Sequence, residues 1–282
     1  MEFVEIALHA ADGCRLGATL YRPEAANGCA LLVNSAAGVR QEYYARFAAY
    51  FAERGFTVLT FDYRGVGRSR YADLRAAPAR LADWAALDAS AALEFLARGS
   101  RRVMVAGHSF GGAALGLVRG IERLAAAFAV GSQSCYWRHW SGAWRSGMWL
   151  LTRALLPGAT RLFGYFPGAM LGQGENLPAG VALDWAAACS EPDYLAAGPA
   201  RERFARLRAP LRLYSVTDDV YAPPAAVDAL VRLYPGAPCE VKRVAPADVG
   251  EAALGHFGFF RERFRDTLWR DAHDWLIRWR QA

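Results

Sequence analysis

A chain of 282 residues, 54% hydrophobic and 21% charged, can bury one large core and has the composition of a globular protein rather than a disordered one. Its formal charge of +6 rests on arginines scattered from Arg15 to Arg280, with Lys242 the only lysine, and the lack of any basic run or stripe argues against a nucleic-acid partner. Cys14, Cys29, Cys135, Cys189 and Cys239 have neither CxxC nor metal-ligand spacing and read as free thiols of a reducing compartment.

The opening MEFVEIALHAADG is acidic where a secretory signal would be basic, which predicts a cytoplasmic protein. The most apolar later run, 148–156, contains Arg153 and is far shorter than the roughly 20 residues of a membrane span, so no stable membrane insertion is expected. In chain order, β-prone runs at 3–9 and 14–21 flank Ala11-Asp12-Gly13, whose Asp-Gly pair signals a hairpin. An apolar run at 30–34, a helical stretch over 41–54 stopped by Gly55, and a strand at 56–62 make a βαβ unit. The rhythm repeats with a helix over 81–98, a strand at 102–106, a helix starting near Gly111 and a strand at 124–130. Such alternation predicts an α/β fold with a mainly parallel sheet covered on both faces.

Over 132–206 the rhythm breaks. Trp137, Trp140, Trp144, Trp149 and Trp185 stand there among glycines and prolines between short helical pieces, and the stretch reads as an insertion into a core made of 1–131 and 207–282. Sheet patterning returns with a strand at 211–215, a helix over 224–233, a strand at 239–244 and a last amphipathic helix over 260–279.

Gly107-His108-Ser109-Phe110-Gly111, followed by Gly112, is a G-x-S-x-G set between a strand and a helix. Glycines permit the tight turn that exposes the Ser109 hydroxyl, and the helix start aims N–H groups at developing negative charge. A serine hydroxyl needs a base, and the base needs an orienting acid. An acidic loop with Asp218 and Asp219 follows the strand at 211–215, and either could serve. Of the five histidines, only His256, on the glycine-flanked loop Leu254-Gly255-His256-Phe257-Gly258, stands in the right place and order. His9, His139 and His273 have no such position, and His108 is expected to pack beside the elbow. Stabilising an oxyanion takes two N–H donors. Phe110 is the first; the second is expected from Asn34-Ser35-Ala36-Ala37-Gly38, with Ala36 preferred and Ala37 next.

These motifs, together with Thr60-Phe61-Asp62-Tyr63-Arg64-Gly65-Val66-Gly67-Arg68-Ser69, resemble over nearly the whole chain the α/β-hydrolases of the serine aminopeptidase S33 and monoacylglycerol-lipase-like branch. The resemblance implies an α/β-hydrolase fold, a Ser-Asp-His triad and no cofactor. It favours Asp219 over Asp218, since the family's acid stands a few residues before a helix-starting proline, here Pro223. The 62–69 stretch is implied to shape the site's floor, and many relatives carry His-Gly where this chain has Asn34-Ser35. The 132–206 segment resembles these enzymes' cap, with Trp137 expected to meet an apolar acyl substrate. The implied activity is hydrolysis of an ester or thioester of a small apolar acyl compound. An acyltransferase would use the same triad, whereas a noncatalytic binding relative would have lost a member of it.

Overall fold

The computed structural model describes residues 1–172 and 174–280. Eight strands form one sheet: β1 (Glu2–His9), β2 (Arg15–Arg22), β3 (Cys29–Asn34), β4 (Thr57–Phe61), β5 (Arg102–His108), β6 (Ala126–Val130), and, after the two-residue strands β7 (Tyr165–Phe166) and β8 (Leu177–Pro178), β9 (Leu211–Val216) and β10 (Cys239–Val244). Their order is β1-β2-β4-β3-β5-β6-β9-β10; β1 and β2 pair antiparallel, as do β2 and β4, and every other pair is parallel. The β1–β2 hairpin turns at Asp12-Gly13, where Gly13 takes φ +85° and Asp12 Oδ1 accepts the Cys14 N–H.

The central strands are apolar on both faces because both are covered. Leu32, Val105 and Ala127 face Trp84, Leu93 and Val227 on one side. Leu31, Met104 and Phe128 face Phe47, Phe51 and Trp269 on the other. This period-2 alternation fixes the register, since a one-residue slip would exchange the two packings.

Between β6 and β9 the chain leaves the main sheet and forms helices and the β7–β8 ribbon. The expected short helical pieces occur at Trp137–His139, Ala179–Ala188, Tyr194–Ala196 and Ala200–Phe204, but 142–163 is one unbroken helix, Gly142–Leu150 and Leu156–Phe163 joined by a π-type turn at Leu151–Leu155. Pro157 falls just after the π-type turn, whose wider winding accommodates its missing N–H inside the helix. The helix after Ser109 is shorter than its motif suggests, only Phe110–Ala113, followed by a 3-10 turn.

Candidate active site

Parallel alignment brings the carboxyl ends of β3, β5, β6, β9 and β10 to one edge of the sheet. Asn34 pairs with Gly107, Val130 with both His108 and Tyr214, and Val216 with Val244. The β3 position, where the strand order reverses, is the point at which open α/β sheets hold ligands. Every candidate residue lies on a loop leaving this edge.

Ser109 is held at φ 50°, ψ −115°, in the turn between β5 and the following helix. This conformation is strained for a residue with a Cβ, and its surroundings over-determine it. Ser109 N–H donates to Val130 O at 2.9 Å, while its carbonyl accepts from the Ser132 hydroxyl at 2.7 Å and from the Ala113 N–H at 3.0 Å. The motif glycines are steric requirements. A Cβ on Gly111 would overlap the Asn34 carbonyl, and one on Gly112 would overlap the Ser132 hydroxyl.

His256 Nδ1 donates to Asp219 Oδ2 at 2.7 Å, and both side chains are shielded from solvent. The other Asp219 oxygen accepts the Tyr221 and Ala222 N–H groups at 2.9 and 3.1 Å, so the carboxylate cannot rotate away. Asp218 faces elsewhere: its two oxygens accept the N–H groups of Leu254 and Gly255 at 2.9 and 3.0 Å, tying down the loop that carries His256. The two neighbouring aspartates therefore have separate tasks. Among the described residues the half-buried Ser109 hydroxyl has no hydrogen-bond partner.

His108 is fully buried, and burial holds its pKa well below the ordinary 6.5, so the ring is neutral. Its Nε2 lies 3.0 Å from the His256 carbonyl, which can only accept, so Nε2 carries the proton. Its Nδ1 then accepts from the Tyr44 hydroxyl at 2.7 Å. Tyr44 Oη in turn accepts the Ala36 N–H at 2.9 Å. The expected second oxyanion donor thus already has an acceptor, whereas the N–H groups of Ala37 and Phe110 have none among the described residues. Asp62 is fully buried and accepts from Gln41 N, Gln41 Nε2 and Arg68 N at 2.8–2.9 Å, which joins the 62–69 loop to the helix that follows the 34–38 loop.

Three contributors gave no readable signal in the sequence. Gly131, φ +57°, ends β6 against the His256–Asp219 pair: a Cβ there would lie 3.0 Å from His256 Nδ1 and 3.1 Å from Asp219 Oδ2. Trp140, rather than Trp137, reaches the acid loop, its Nε1–H donating to Val220 O at 2.9 Å. Glu175 lies across the 34–38 loop, its N–H donating to Gly38 O at 2.8 Å and its carboxylate paired with Arg40 and Arg70. Those arginines hold the Glu175 carboxyl below the usual range. Trp137 itself is half-buried against the core under the Arg138 guanidinium, 5.1 Å from its ring centroid. Around His256, Val220, Tyr221 and Phe257 are exposed and form an apolar rim.

All five cysteines are unpaired, and among the described residues no group of His, Cys, Asp and Glu is arranged to hold a metal ion. A groove of about 620 Å³ lies away from this edge, between β1 and the helical stretch 81–99, and no candidate residue lines it.

No curated protein matches the sequence. Among solved structures the chain is similar to an esterase of Pyrococcus furiosus, at 15% identity and TM-score 0.62 over 99% of this chain and 91% of that one. It is also similar to an α/β-hydrolase of Penicillium sp., at 18% and 0.65 over the whole of both chains. A thermophilic esterase of Thermogutta terrifontis is similar at 16% and 0.64, over 99% of this chain and all of that one. Such identities speak for the fold. The model of the alpha/beta hydrolase family matches residues 30–267, from β3 through the Ser109 turn to beyond the His256 loop, and the chain belongs to that family.

Proposed function

We propose that the protein is a serine hydrolase that cleaves a carboxylic ester or thioester of an apolar acyl compound. The observation that carries this reading is the strained Ser109 turn on the same sheet edge as a His256–Asp219 pair closed at 2.7 Å. Ser109 Oγ attacks the carbonyl carbon while its proton passes to His256 Nε2; the tetrahedral adduct collapses, and the leaving alcohol or thiol departs with that proton. Water then attacks the acyl-enzyme with His256 again as base, releasing the acid and restoring Ser109. Asp219 keeps the proton on Nδ1 and stabilises the imidazolium. Phe110 N–H and Ala37 N–H are the oxyanion donors, and Ala36, through its bond to Tyr44, anchors the 34–38 loop that carries Ala37. No cofactor takes part in these steps.

The segment 132–206 acts as a cap over this edge, held there by Trp140 on Val220 O and by Glu175 on Gly38 O. The rim of Val220, Tyr221 and Phe257 favours an apolar acyl group, and Trp137 sets its preferred length. Turnover of p-nitrophenyl esters and fluorophosphonate labelling, compared between wild type and Ser109→Ala, test the assignment. Both should vanish in the variant; labelling that persists would overturn it.

A further inference from the structure

The helix at 142–163 is turned inside out. A surface helix ordinarily buries its apolar face. Here the buried positions are Met148, Thr152, Leu156 and Thr160, one every four residues, and half of that stripe is threonine. Each threonine hydroxyl is satisfied within the helix, Thr152 on Met148 O at 2.8 Å and Thr160 on Leu156 O at 2.7 Å. Facing solvent are Trp144, Trp149, Leu150, Leu155 and Leu162, at 53, 48, 44, 56 and 79% exposure. More than half of the large apolar side chains exposed among the described residues fall within 144–171. Contiguous exposure of this kind marks an interaction surface.

Charge decides what covers it. From 123 to 174 the sequence contains no Asp or Glu, while Arg145, Arg153 and Arg161 recur every eight residues along the helix and are exposed. Arg153 and Arg161 have no carboxylate partner among the described residues. A second copy docked about a two-fold axis would face the same arginine-bearing surface without a carboxylate from this helix to answer it. An anionic lipid surface meets both features, with phosphates for the arginines and an apolar layer for tryptophan and leucine. Among the described residues no helix is long and apolar enough to cross a membrane, so contact would be peripheral.

We propose that the outer face of helix 142–163 binds the protein to anionic lipid surfaces, with Trp149, Leu155 and Leu162 entering the interface and Arg153 and Arg161 meeting the lipid phosphates.

The test is co-sedimentation of the full chain with vesicles of phosphatidylcholine alone and of phosphatidylcholine mixed with phosphatidylglycerol. Binding is expected on the mixed vesicles only, weakening as salt is raised. Arg153→Gln and Arg161→Gln should each lower the partition coefficient about fivefold, and Trp149→Ser with Leu155→Ser should abolish binding. Melting curves that match wild type establish that the variants fold. No binding to mixed vesicles at low salt, or equal binding to both kinds, overturns the proposal. So does self-association in sedimentation velocity that the Trp149/Leu155 variant abolishes, which would make the face a contact between copies. Binding is read without turnover, so it stands or falls separately from the role of Ser109.

Discussion

Asp218 and Asp219 are adjacent carboxylates, and replacing each by asparagine should give different defects. In Asp219→Asn the amide can no longer offer a carboxylate to His256 Nδ1, which sits 2.7 Å away, and the ring is free to take the wrong tautomer. In serine triads that change costs about 10⁴ in kcat, or about 5.5 kcal/mol at 1.36 kcal/mol per tenfold. The Tyr221 and Ala222 N–H groups can keep their oxygen, so the melting temperature should move little. In Asp218→Asn one of the two N–H groups, Leu254 or Gly255, loses its acceptor and meets an amide instead. Losing a hydrogen bond to a charged group costs about 1.5–3 kcal/mol, and in a chain of this size each kcal/mol lowers Tm by about 2–4 °C. The loosened loop misplaces His256, and a misplacement of about 1 Å can cost up to about 10²-fold. Steady-state kinetics on p-nitrophenyl butyrate, with calorimetry on the same samples, separates the two. A larger kcat loss in Asp218→Asn, or an Asp219→Asn enzyme within about tenfold of wild type, would refute this division of labour.

Gly131→Ala should lower kcat by at least about tenfold, because the new Cβ presses on the His256–Asp219 pair, and should also destabilise by about 1–2 kcal/mol through left-handed strain; wild-type kinetics in a folded variant would contradict the packing. Because burial depresses the His108 pKa below 6.5, the unfolded chain takes up a proton that the folded chain refuses as pH falls through about 6.5. Stability in urea melts should therefore drop on the acid side at up to about 1.4 kcal/mol per pH unit, and His108→Gln should flatten that slope; an unchanged slope would mean that other groups set it. Trp137→Ala should alter the preference among acyl chain lengths more than the rate on an acetate ester. An equal loss on all esters with a lower Tm would mean that this side chain only supports its segment.

The sheet was legible because each of its signals is local. Asp12-Gly13 announces its hairpin, the apolar runs at β3, β5 and β9 announce buried strands, and a serine between glycines after a strand announces the turn at 109. The Asp219 loop was readable for the same reason, since it follows the buried β9. The His256 loop follows the charged, partly exposed edge strand β10 and was readable instead from its flanking glycines and its place in the chain order. Helix length after Ser109 was not, since Gly111 and Gly112 are selected for closeness to Asn34 and Ser132 rather than for helix propensity. Nor was the continuity of 142–163, where a π-type turn absorbs Pro157 and Gly158. Gly131 and Trp140 matter only through Asp219, His256 and Val220, and Tyr44 matters because it joins the nearby Ala36 to the distant His108; no local pattern encodes such long-range contacts.

The run of donors from Ala36 through Tyr44 and His108 to the His256 carbonyl has a fixed direction, since each member gives one hydrogen and its last acceptor has none to return. Two imidazoles with ring centres 5.0 Å apart would ordinarily compete for the same proton. In this arrangement His108 has its lone pair occupied and its hydrogen committed, so it acts as an insulator beside His256. Under the proposed mechanism a second imidazole stands next to Ser109 while His256 alone is left to receive the Ser109 proton.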